Sequence, residues 1–171
     1  MNIVEADYRI SKNDKFIIES SISVSLWDEN LINNFHENLN NILNEIYVKS
    51  NSTFSNSKKV ISLCFAGDNR IKELNKSYRK INSATNVLSF PDKEQKNISN
   101  ECIGELMICQ KVLEKEAFDQ QKKIFDHFIH LVIHSMLHIL GYTHEDKNDA
   151  ILMESKEIEF LSKIGVKDPY K

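Results

Sequence analysis

KKIFDHFIHLVIHSMLHILGYTH, residues 122–144, is the stretch from which the rest of the chain is read. Lys122 to Leu140 is apolar almost throughout and holds neither glycine nor proline, which predicts a long, largely buried helix. Gly141 is its natural C-terminal stop. His134 and His138 are four residues apart, so a helix puts both imidazoles on one face, one turn from each other. Gly141 then turns the chain back and lets His144 approach the same point from a third direction. Imidazole nitrogens reach zinc at about 2.0–2.1 Å, and three protein nitrogens leave a fourth position open, as a catalytic rather than a structural zinc requires.

The ordinary alternative deserves equal weight at each histidine. One histidine on an apolar face is usually a hydrogen-bonded core residue, and a pair at this spacing arises often by chance. A pair followed by a glycine turn and a third histidine is much rarer. Five of the six histidines fall between His127 and His144. His130 and His127 lie further back on the same face and are read as residues that support or pack against the ligands. His36 stands in a remote segment and is read as a surface residue.

Asp146 to Ile164 predicts a last amphipathic helix, and Gln110 to Gln121 also reads as helical. Ile103 to Cys109 predicts a strand. TNVLSF before Pro91 predicts a strand at a sheet edge, since a proline there cannot donate to a neighbour. Val60 to Phe65 is a β-branched, apolar strand ended by Gly67-Asp68, with Asp68 expected to cap the next helix. That helix carries Ile71, Leu74 and Tyr78 and ends near Lys80. Residues 30–48 place Leu31, Phe35, Leu39, Ile42, Leu43, Ile46 and Tyr47 on one helical face. Residues 16–26 read as a strand, and the polar runs 51–59 and 93–100 as loops. The expected fold is α+β: residues 1–171 as a single domain, one small mixed β-sheet packed against several helices, the zinc site on a central helix and the turn after it.

Composition limits the function. The 171 residues carry a net charge of −3, which argues against a protein that coats nucleic acid generally. Charge is segregated, however. Asp68 to Lys80 has five bases (Arg70, Lys72, Lys76, Arg79, Lys80) against two acids, and Glu145 to Glu159 has six acids against two bases. Taken alone, both are solvated helix faces. Cys64, Cys102 and Cys109 form no CxxC pair and read as reduced thiols. The first ten residues hold no apolar core of a secretory signal, and no stretch approaches the ~20 apolar residues of a membrane span. A cytoplasmic location is expected.

The spacing HxxxHxxGxxH is also that of zinc peptidases, which need a glutamate beside the first histidine as general base. Here that position is Ser135, which cannot accept a proton as a carboxylate does. The segment from His130 through His134, His138, Gly141 and His144 to Glu145 resembles instead the YbeY family. Two further blocks match: Glu73-Leu-Asn-Lys-Ser-Tyr-Arg79 and Thr85-Asn-Val-Leu-Ser-Phe-Pro91. The resemblance spans roughly residues 60–160. It implies a metal-dependent endoribonuclease specific for single strands, acting in ribosomal RNA maturation and ribosome quality control. It implies one zinc ion per chain on His134, His138 and His144, and a catalytic Arg79. Single-stranded RNA, as an rRNA precursor, and the ribosome are the implied partners. Arg70, Lys72, Lys76 and Lys80 are candidates to steer that RNA. Ser135 and Asn86 stand where the family usually has Gly and Asp, and Gly104-Glu105 where it usually has Gly-Asp. A zinc peptidase, and a ribosome-associated module with a structural zinc, are the rival readings. The structural reading would call for a fourth ligand such as Cys102 or Cys109.

Overall fold

The computed structural model describes residues 6–12, 16–23, 28–35, 38, 42, 59–92 and 102–171. Five strands form one mixed sheet in the order β1-β2-β3-β5-β4: β1 (Ala6–Lys12), β2 (Phe16–Ser23), β3 (Lys59–Ala66), β4 (Val87–Pro91) and β5 (Cys102–Cys109). β2, β3 and β5 run parallel, while β1 and β4 close the two edges antiparallel. The α+β class and the edge position of β4 match the expectation. β1 was not anticipated. The predicted strand 16–26 is β2 to Ser23; of the expected loop 51–59, Lys59 is the first residue of β3 while 51–58 lie outside the described residues, as does the expected loop 93–100.

The helices are α1 (helical at 29–35, and again at 38 and 42), α2 (Asp68–Arg79), α3 (Gln110–Asp119), α4 (Ile124–Ile139) and α5 (Lys147–Lys163). Strand alternation sends Ile61, Leu63 and Phe65 of β3, and Leu106 and Ile108 of β5, into the main core with α1, α4 and α5. A smaller cluster of Ile71, Leu88 and Cys109 joins α2 to other positions of β4 and β5. Phe35 of α1, Phe65 of β3 and Phe128 of α4 meet edge-on or tilted with centroids 4.8–6.4 Å apart, which ties three elements together. Of the predicted face of the first helix, Leu31, Phe35 and Ile42 are buried, while 39, 43, 46 and 47 lie outside the described residues.

Asp68 does not cap α2. Gly67 is the N-cap with no side-chain bond, and the Asp68 carboxylate instead accepts from Lys111 Nζ at 3.1 Å. A glycine N-cap offers no acceptor, and Asp68 sits one residue too late to supply it. Asp146 does cap α5, accepting from the backbone N–H of Asn148 and Asp149. All three cysteines are free thiols, and burial pushes the Cys109 thiol pKa up. No described helix is long and apolar enough to cross a membrane.

Gly104 sets the distance between sheet and α4. A Cβ there would stand 2.8 Å from Ile139 Cδ1 and 3.0 Å from the Phe90 carbonyl oxygen. Gly104→Ala is therefore expected to cost about 1–3 kcal/mol of stability by overpacking, read as a lowered midpoint in urea unfolding. An unchanged midpoint would mean that α4 moves off the sheet freely.

Candidate metal centre

Ten of the sixteen residues of α4 are buried, so one narrow face is left for its histidines. That face carries His130, His134 and His138. Beyond the helix, Gly141 takes φ +93°, a left-handed conformation that suits glycine. Its N–H bonds to the His138 carbonyl and that of Tyr142 to the Leu137 carbonyl, both at 3.0 Å, so the chain folds back over the helix end. Thr143 Oγ1 donates to Asp149 Oδ2 of α5 at 2.8 Å, which holds the far side of the turn. His144 directly follows Thr143, within the loop that this bond closes. The result brings together the three residues expected as ligands: one ring nitrogen from each of His134, His138 and His144 lies within 4.8 Å of the others.

The hydrogen bonds decide which nitrogens face inward. His134 Nδ1 lies 2.8 Å from Glu157 Oε1, and His138 Nδ1 lies 3.0 Å from the Tyr142 carbonyl oxygen. A carboxylate and a carbonyl can only accept, so each Nδ1 carries a proton, and in the neutral ring each Nε2 then presents a bare lone pair. Those two Nε2 atoms stand 3.0 Å apart. Two bare lone pairs at that separation repel, and a shared cation relieves the repulsion. Nitrogen donors that reach about 2.0–2.1 Å fit such a cation. Burial, then the neighbouring His134 and His144 rings, lower the His138 pKa, which favours the neutral form that ligates.

Glu157 is the residue that sequence reasoning missed. It was counted among the solvated acids of the last helix, yet it is only 1% exposed. Burial alone would raise its pKa, but hydrogen bonds from His130, His134 and Tyr170 draw it down to about 2. The signal was present in the spacing: Met153, Glu157, Phe160 and Leu161 share the buried stripe of α5. His130, read from the sequence as a residue that supports or packs against the ligands, lies outside the group of three, and its Nε2 reaches Glu157 Oε2 at 2.7 Å. His127 bonds Glu116 Oε2 at 2.8 Å, and Asn86 Nδ2 donates to the same oxygen at 3.0 Å. His36 lies outside the described residues.

Arg79 ends α2 and is exposed, followed by Lys80 in a left-handed conformation at φ +63°. Arg70, Lys72, Lys76 and Lys80 are exposed on the same helix and its end. Arg70 pairs with Glu73 at 3.7 Å, and Lys80 Nζ donates to the Ser77 carbonyl at 2.8 Å. Among the described residues, no hydrogen bond or ion pair joins these bases to the histidines. The group of three histidines includes no cysteine among the described residues; Cys102 Sγ donates to the Gly104 carbonyl. Ser135 is fully buried and Glu145 exposed. A groove of about 330 Å³ lined by Leu140, Gly141, Tyr142, Thr143, Asp149 and Leu152 runs along the turn that carries His144.

A model of the family described as Endoribonuclease YbeY matches residues 12–165. A protein named Endoribonuclease YbeY from Ruthia magnifica subsp. Calyptogena magnifica is 45% identical over 103 residues, covering 60% of this chain and 71% of the relative. One of the same name from Colwellia psychrerythraea is 39% identical over 119 residues, covering 70% and 77%. Another from Alteromonas mediterranea is 38% identical over 114 residues, covering 67% and 72%. The solution structure of TM1509 from Thermotoga maritima has a similar fold, with a TM-score of 0.55 and 23% identity across 92% of this chain and 98% of that one.

The turn at Gly141 admits a direct test. A Cβ there would meet nothing within 4 Å, so any cost of Gly141→Ala comes from its positive φ alone. Thermal unfolding is expected to report a loss of about 1–2 kcal/mol, the cost of left-handed backbone in an L-residue. A variant as stable as the parent would mean that the turn adopts another conformation.

Proposed function

Because the chain belongs to the YbeY family of endoribonucleases, we propose that it is a zinc-dependent endoribonuclease that cuts single-stranded RNA in ribosomal RNA maturation and ribosome quality control. It works in the cytoplasm, on rRNA precursors and on the ribosome, as a single domain. The observation that carries the reading is the pair of inward-facing Nε2 atoms of His134 and His138, 3.0 Å apart, with His144 beside them. These three residues hold one zinc ion. Zinc bound there supplies Lewis-acid polarisation of a phosphate and an acidified water.

The chain's own groups do the rest. RNA cleavage builds negative charge on non-bridging phosphate oxygens. Arg79, always charged and planar, grips such a phosphate through a two-pronged fork. Its exposure at the end of α2 leaves the guanidinium open to a substrate from solvent. Arg70, Lys72, Lys76 and Lys80 add a positive field that draws the RNA backbone towards that helix end. A groove that holds backbone phosphates and unstacked bases favours a flexible strand over an A-form duplex. The rivals fare worse on the same observations. A peptidase lacks the base beside its first ligand, since Ser135 is buried and carries no carboxyl group. A structural zinc lacks a fourth protein ligand among the described residues.

Protein purified without chelator is expected to carry about one zinc per chain and to cut labelled single-stranded RNA, leaving a perfect duplex and casein intact. His138→Ala should lose most of the metal and the cleavage with it. Full occupancy in that variant removes His138 from the site, and chelator-sensitive proteolysis without RNA cleavage would favour the peptidase.

Arg79→Ala is expected to keep its zinc and its melting temperature yet cleave at least tenfold more slowly, about 1.4 kcal/mol or more in barrier. Arg79→Lys should fall between. Parental rates in Arg79→Ala at saturating zinc would take Arg79 out of the active site.

A further inference from the structure

We infer that Glu157 is a positioning residue of the metal centre: it fixes the ring and tautomer of His134, and Tyr170 from the C-terminal segment holds Glu157 in place. The inference deepens the reading of His134, His138 and His144 as metal ligands and rests on it.

Glu157 is almost fully buried, and a buried carboxylate is tolerated only with partners. It has three. Its Oε1 takes His134 Nδ1 at 2.8 Å, and its Oε2 takes His130 Nε2 at 2.7 Å and the Tyr170 hydroxyl. Burial and the hydrogen bond to Glu157 raise the Tyr170 pKa, so the phenol stays a donor. The Tyr170 ring also packs edge-on against His130 at 5.6 Å, and Lys122 Nζ donates to the neighbouring Pro169 carbonyl at 2.9 Å. The end of the chain is thus strapped across α4 at the level of the carboxylate.

The consequence is chemical selection. A ring bearing its proton on Nε2 would point a hydrogen at the cation and could not ligate. A carboxylate accepts and never donates, so it selects the Nδ1–H form of His134. Glutamine at the same place keeps the shape but offers an acceptor and a donor, and so serves either form. His138 takes its Nδ1 partner from the backbone carbonyl of Tyr142 rather than from Glu157, and so serves as an internal control for the tautomer. A merely structural Glu157, one that only fastens α5 to α4, would change unfolding and leave tautomer and affinity alone.

The test uses the full chain, stripped of metal, as parent, Glu157→Gln and Tyr170→Phe. Histidine ¹⁵N shifts above the imidazole titration range report each tautomer, zinc affinity is read by competition with a chelator, and melting temperature controls for folding. Glu157→Gln is expected to bind zinc about 10–100-fold more weakly, with His134 in mixed tautomers and His138 unchanged. Tyr170→Phe keeps its ring packing and should lose severalfold in affinity, with the same tautomer shift at His134 in smaller measure. Parental affinity and a single His134 tautomer in Glu157→Gln would overturn the inference. If that variant does not fold, parental affinity and tautomer in Tyr170→Phe would do so. A parent that binds no zinc, yet loses its His134 tautomer in Glu157→Gln, would sink the ligand reading and leave the positioning role standing.

Discussion

The packing of α4 is the constraint on which the rest depends. Most of its sixteen residues are buried against β4, β5, α3 and α5, and Phe128 is locked between Phe35 and Phe65. A helix held on so many sides cannot rotate about its axis without opening voids, each of which costs contacts. Its histidines therefore inherit their direction from the core. Gly104 permits the close approach of Ile139, one residue past His138, so the sheet itself sets the depth of that histidine. The hydrophobic core and the candidate metal centre are two faces of one helix.

Much of this was legible locally. A four-residue spacing, a glycine stop and a third histidine three residues further on are short-range facts, and the structure joins those three side chains. β3, β5, α4 and α5 were equally readable, because long apolar or amphipathic runs report burial directly. β1 was not. ADYRISK mixes charge and polarity with little apolar content, and only pairing with β2 makes it a strand. Glu157 escaped for another reason. Its partners His130, His134 and Tyr170 lie 27, 23 and 13 residues away, so nothing near it in sequence announces a buried charge. The one local clue was a glutamate on the apolar stripe of α5. Asp68 failed as a cap because capping turns on a single residue of register, the least reliable feature of any helix boundary.

Charged and polar groups at the protein's centre follow a consistent rule. Along α4, imidazoles alternate with acceptors drawn from other elements: Glu116 of α3 for His127, Glu157 of α5 for His130 and His134, and the Tyr142 carbonyl for His138. Such pairs contribute little net stability against a hydrophobic alternative. They are kept at the seam between helices, where they specify orientation. Arg79 and its neighbouring bases stand apart from this network, exposed on α2. In the proposed reaction, the rigid histidine face and the open basic helix end divide the work: one holds a cation in a fixed place, the other meets a flexible chain of phosphates.

X-ray absorption at the zinc edge of the metal-loaded protein would decide whether three histidines hold the ion, because it counts the ligands and identifies their atoms. Three imidazole nitrogens are expected at about 2.0–2.1 Å, with the rest of the shell light oxygen scatterers and no sulfur. A sulfur at about 2.3 Å, or fewer than three imidazoles, would contradict the three-histidine site.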